Sequence, residues 1–248
     1  IENRTEPWSG ACGVFHPMIT EAVVRFQSDT VMETFPASGP VKTQIIGKVT
    51  PEKEEAAVRV AEDLNYQLTE AMVEFRPDHE RMLWNLAGAG SGFKKVYKDL
   101  GLGRQTSVFV PAEDVIIPYG TTDMNTCYRI THRMKKTKQE IKRLQHAKFW
   151  RDIDIGEPPK MVNDLQKKKD DAAGISAQFD DRYVVYEIGV DLDLPGYEDE
   201  DDDGVTGIAL PYIVTILESN KQVLSIRRNW KEEDDLKLKR QHYAHYIY

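Results

Sequence analysis

"RITHRMKKTKQEIKRLQHAKFWRD", residues 129–152, changes its periodicity part-way, and that change decides the fold class. Its first residues continue "TCYRITHRMK", which reads as a short strand. Thr137 and Glu140 then form a T-x-x-E capping box, with Ile141, Leu144 and Phe149 as the apolar stripe of a helix. Lys138, Lys142 and Arg143 lie away from that stripe, as a solvated helix face requires.

Working outward, the segments before and after this stretch repeat the mixture of periods. Pro17 suits a first helical position, and Ile19, Ala22, Val23 and Phe26 carry helical spacing until Pro36, so a helix is expected over 17–34. "PASGPVKTQIIGKV" is a turn-rich connector, and Thr50 with Pro51 supplies an N-cap and first helical residue. Val60, Leu64, Leu68, Met72 and Phe75 then predict a long amphipathic helix from 51 to about 76, resuming past Pro77 to 87 and carrying the core of the domain. "GAGSG" ends it. "FKKVYKD" and "TSVFVP" read as two strands joined by a Gly-containing turn, and "EDVIIPYG" as a further short one. Downstream, a weak helix is expected at 159–172. Three strands follow, "YVVYEIGVDLDL", "IALPYIVTILE" and "QVLSIRRNW", separated by an acidic loop and the Ser219-Asn220-Lys221 turn. The class is therefore α+β, with long amphipathic helices packed on antiparallel β-meanders.

Composition bounds the function. The chain has 248 residues, a formal net charge of -8 and 40% hydrophobic residues, enough for one large domain or two small ones. No apolar run approaches eighteen residues, and "IENRTEPWSGACGVFHP" lacks the parts of a signal peptide, so a soluble, non-secreted protein without membrane contact is expected. Cys12 and Cys127 are far apart in sequence and suggest neither a zinc site nor a disulfide framework. The chain begins at Ile1 and stops in "HYAHYIY", which reads as a strand in mid-course, and a piece of a longer protein is expected.

Several motifs approach a chemistry and stop short of it. "DEDDDG" at 199–204 matches the first half of a calcium loop, but Leu210 stands where the bidentate Glu belongs and the flanks read as strands. An acidic hairpin tip is the simpler reading. "GAGSGFKK" lacks the Gly-Lys-Ser/Thr of a P-loop, and Ala89 occupies the first glycine position of a nucleophile elbow around Ser91, leaving a helix C-cap and turn. His242 and His245, three apart on a strand, point to opposite faces. No catalytic, cofactor-binding or metal-binding constellation emerges, and a non-enzymatic role is expected.

Several blocks in linear order, "FPASGPVKT", "PEKEEAAVRV", "GSGFKKVYKD", "VFVPAEDVIIPYGTTDMNTCYRITHRMKKTKQEIKRLQ" and "VLSIRRNW", resemble the portal proteins of tailed bacteriophages over nearly the whole chain. That resemblance implies a wing-like amino-terminal fragment, taken as one unit or as two lobes at 1–150 and 151–248, without the stem and clip. It further implies a virion protein of the head vertex, assembled in the host cytoplasm as a twelve-fold ring. Its implied partners are other copies of itself, the terminase motor, capsid and tail or adaptor proteins, and double-stranded DNA in the channel. An acidic balance suits a conduit through which DNA slides, since a surface neutralising many phosphates would hold it. In such a ring the basic Lys138, Lys142 and Arg143 would face an acidic set, Glu198, Asp199, Glu200, Asp201, Asp202 and Asp203, of the neighbouring copy. Two other readings compete: a stand-alone nucleic-acid-binding module using residues 129–151, and a metal-dependent nucleic-acid-processing enzyme using the acidic loop.

Overall fold

The computed structural model describes residues 16–99, 101–158, 182–201 and 204–248, together with Trp8, Lys168 and Gly174. It is α+β, and every strand pairing among the described residues is antiparallel. The chain divides into two compact units, residues 1–112 with 242–248, and residues 113–241. The division expected at residue 150 therefore falls inside the second unit. The helix expected at 159–172 lies outside the described residues, Lys168 excepted.

The first unit holds three helices and a three-stranded sheet. Helix α1 (Met18–Thr34) ends at Phe35, before Pro36, as its punctuation predicts. Helix α2 (Pro51–Tyr66) starts at Thr50, whose hydroxyl accepts the Lys53 amide hydrogen at 3.4 Å. The long helix expected past residue 66 is interrupted: a π-helical turn at Gln67–Ala71 leads to Met72, which leaves helical geometry at φ -98° and ψ 73°. Helix α3 (Phe75–Ala89) then begins, with Pro77 inside its first turn. Proline is tolerated there because the first amides of a helix have no intrahelical acceptor, so the break precedes Pro77. Gly90 closes α3 in the left-handed conformation, φ 74°, its amide donating to Leu86 O at 2.8 Å. That is the C-cap and turn expected of "GAGSG".

Strands β1 (Ser91–Asp99) and β2 (Arg104–Pro111) form the predicted hairpin. The outer partner of β1 is the C-terminal strand Tyr243–Ile247, so the sheet order places β1 in the centre. The core of this unit belongs to α3, not α2. Met82, Leu83, Leu86 and Phe109 are buried together against Phe26 and Val31 of α1, whereas α2 buries no residue. Leu64 is 38% exposed and Val60 50%, which corrects the expectation that they anchor the domain.

Among its described residues the second unit holds a five-stranded sheet with a helix packed on it, and a two-stranded hairpin. Strands β3 (Val115–Ile116), β4 (Arg129–Lys136), β5 (Tyr183–Leu192), β8 (Leu210–Leu217) and β9 (Val223–Arg228) follow one another across it in that order. A small hairpin, β6 (Glu200–Asp201) and β7 (Gly204–Val205), stands between β5 and β8 in sequence, and β10 denotes Tyr243–Ile247 of the first unit. Helix α4 (Lys138–His146) starts with the predicted capping box: Thr137 Oγ1 accepts the Glu140 amide hydrogen at 3.3 Å, and Glu140 Oε2 accepts that of Thr137 at 2.8 Å. Its Ile141 joins Trp150, Ile155, Tyr183, Val185, Leu217 and Leu224 in one buried cluster. Leu210, Tyr212 and Val214 form a second with Val190, Leu192 and Trp230. Residues 210–217 contribute to both, so their apolar run is nearly continuous instead of alternating.

Candidate functional site

The charged residues singled out in the sequence are separately placed. Lys138, Lys142 and Arg143 are exposed on α4. Lys138 approaches Glu157 at 3.9 Å, while the side chains of Lys142 and Arg143 form no ion pair or hydrogen bond among the described residues. Other members of the basic stretch are held within the unit: Arg133 by Asp114 at 2.9 Å and Lys136 by Glu140 at 3.3 Å. The acidic hairpin is only partly available. Asp199 is taken by Lys237 and by the Thr206 hydroxyl, and these donors hold its carboxyl below the usual range. Glu198 accepts the Gly196 amide at 2.7 Å, and Glu200 is exposed. Asp202, Asp203 and the side chain of Asp201 lie outside the description. No three metal-ligating side chains come together among the described residues. No helix described is long and apolar enough to cross a membrane.

A different residue dominates the electrostatics of the first unit. Lys94, on the central strand β1, is 2% exposed, and its ammonium has no hydrogen-bond partner among the described residues. It lies 3.8 Å from the centroid of the Phe75 ring, a cation–π contact at the start of α3. Strand alternation places Lys94 and Val96 on one face, with Lys94 opposite Phe109 of β2 and Ala244 of β10. Beside it is a cavity of about 210 Å³ whose wall is mostly apolar, Leu64, Leu68, Met72, Phe75 and Val96 among it, with Gln67, Gln105 and Ser107 contributing polar groups. Burial pushes the Lys94 ammonium down from 10.5 to about 8, with the Asp78 charge opposing. His79 is likewise depressed to about 4, first by burial and then by the charge of Lys94. Its ring, stacked on Phe75 and edge-on to Phe35, is therefore neutral at physiological pH.

Acidic groups at the start of α3 cover the edge of β2. Asp78 accepts the Phe109 amide hydrogen at 2.9 Å, satisfying a backbone group that the strand's free edge leaves unpaired. Glu74 receives Arg104 through two bonds, of 2.7 and 2.8 Å, and the Thr106 hydroxyl. Those bonds, Arg104 foremost, hold the Glu74 carboxyl at about 2 instead of 4.5. Because the folded value is the lower one, this contribution to stability is present above pH 4.5 and is lost as the pH falls toward 2. Glu74→Gln should remove that part of the acid dependence while leaving neutral-pH unfolding cooperative. Urea titrations at pH 5 and pH 3 check it: an unchanged difference between the two pH values would contradict the assignment.

No protein-family model matches the chain, and no curated protein matches it. The site must be read from its own chemistry. Lys94 escaped the sequence reading because "FKKVYKD" offers three lysines of equal appearance. Lys94 and Lys95 are both paired on each side, and what singles out Lys94 is the Phe75 ring at the start of α3 lying over its ammonium. The available signal was alternation, which puts Lys94 on the face opposite Phe93 and gives no measure of what covers it.

Proposed function

We propose that the chain is a structural subunit of a portal-like ring, a conduit and docking platform for double-stranded DNA at a phage head vertex. The reading rests on the ordered sequence blocks that resemble portal proteins, and the observation that carries it here is the free basic face of α4. Lys142 and Arg143 are exposed and have no carboxylate partner among the described residues, so they are available to another subunit. A ring subunit meets its neighbour with two different surfaces, and a basic one requires an acidic counterpart. With Asp199 already paired to Lys237, Glu200 is the exposed acidic residue of the hairpin among the described residues. In this reading the protein is not an enzyme and resides in the virion, with terminase motor, capsid and tail or adaptor proteins as its partners.

Each exposed ion pair contributes only about 0–1 kcal/mol, so ring closure must draw on further contacts. Electron microscopy of the protein in its full-length form should show a closed ring. Replacing Lys138, Lys142 and Arg143 together by Glu should impair ring assembly without unfolding the subunit, and reversing the hairpin charges should restore part of it. Absence of a ring from the unmodified protein would overturn the reading. The same free lysine and arginine also suit a nucleic-acid-binding module. Tight, salt-sensitive DNA binding lost in the triple variant would favour that reading.

A further inference from the structure

We propose that the cavity beside Lys94 is a binding site for a small monocarboxylate with an apolar body. The inference stands independently of the ring reading, since it concerns one unit and no subunit contact. Its first support is the ammonium itself: a charge removed from water is normally matched by hydrogen bonds or an opposite charge. Here the ammonium has the face of Phe75 and the charge of Asp78 nearby, but no ion pair with and no hydrogen bond to the described residues, so its three N–H donors are unused by them. The second support is the wall. Leu64, Val96 and Tyr246 line the cavity while remaining 38%, 44% and 36% exposed, so its mouth is largely apolar, with Gln67, Gln105 and Ser107 as the polar members of the wall around a nearly inaccessible cation.

A ligand matching both features needs one anionic end and an otherwise apolar surface. A carboxylate oxygen would replace the ring face with a charge-assisted hydrogen bond, and the flexible lysine stem can bring the ammonium from Phe75 toward it. Size narrows the class further. About 210 Å³ holds roughly seven groups the size of a water molecule, at about 30 Å³ each, so a short fatty acid or an aromatic acid suits it, an eight-carbon chain leaving its last carbons at the partly exposed mouth. His79 is neutral and brings no competing charge, and Asp78 is engaged by the Phe109 amide and by Arg81 at 3.3 Å.

Octanoate is the probe, with octanol and acetate as controls that lack the charge and the apolar body. Calorimetric titration into the 248-residue protein at pH 7 should show saturable octanoate binding, with both controls at least about tenfold weaker. Lys94→Met should weaken octanoate by about tenfold or more, and Leu68→Trp, which fills the cavity while leaving Lys94 in place, should abolish binding. The lysine side-chain NMR signal of the unmodified protein gives a readout that needs no variant: Lys94 should shift with octanoate and not with octanol. Octanoate binding no tighter than octanol, binding undiminished in Lys94→Met, or no saturable binding would each overturn the proposal.

Discussion

Leu217→Ala should destabilise the second unit by about 2–5 kcal/mol, the range for truncating a large aliphatic side chain in a closed core. Leu217 is fully buried and pairs with Val185 across the two central strands. Around them are Ile141 from α4, Tyr183 from β5 and Leu224 from β9, all without solvent exposure. A cavity at this point is walled by three strands and a helix, and the strands cannot move inward without breaking ladder hydrogen bonds. Leu64→Ala is the matched comparison. That leucine is 38% exposed at the cavity mouth on α2, so its truncation should cost less than about 1 kcal/mol. Urea denaturation of both variants tests the assignment of the core. Equal losses would mean that α2 carries more of the structure than its exposure indicates.

Lys94→Met should stabilise the protein at pH 7, by about 1–3 kcal/mol. The lysine is held near 8 in the folded chain against an ordinary 10.5, so between these values the unfolded chain retains a proton that the folded chain releases. Stability from this group therefore rises with pH across that window, and below about 8 the penalty for burying the ammonium is present in full. Methionine fills similar space without the charge and should flatten the slope. The groups packed around it are Asp78 and His79 from α3 and Tyr246 from β10. Tyr246 is itself raised by burial, so the variant and the unmodified protein must be compared at each pH. A variant less stable at pH 7, with the slope between pH 8 and 10.5 intact, would show that the Phe75 contact outweighs desolvation. A destabilising residue kept in a core is what a binding site requires, because the ligand rather than the fold supplies its partner.

The elements legible in the sequence are those whose signals act between near neighbours in the chain. Thr137 and Glu140 bond each other's backbone, Thr50 with Pro51 opens α2, and Gly90 takes a conformation that a side chain would disfavour. Each is a property of a few consecutive residues, and each survived folding unchanged. The runs at 183–192 and 210–217 were equally clear, being rich in β-branched and aromatic residues and bounded by turn signals.

Tertiary structure alone decided where those elements meet. "HYAHYIY" reads as a strand, but nothing in its residues says that it returns past more than a hundred others to pair with β1. That return, with β2 on the other side, places both Lys94 and Lys95 at the centre of a sheet, and the cover of Phe75 on one face makes Lys94 the buried one. Leu64 and Leu217 look alike in sequence and differ in burial because α2 buries none of its residues, while the face of β8 that carries Leu217 is covered by Ile141 of α4 and by Trp150 and Ile155. Asp199 belongs to an acidic run by composition and to Lys237 by folding. Local hydrogen bonding and backbone sterics can be read along the chain. Burial and charge pairing depend on which distant segment arrives beside a residue, and that is a property of strand order.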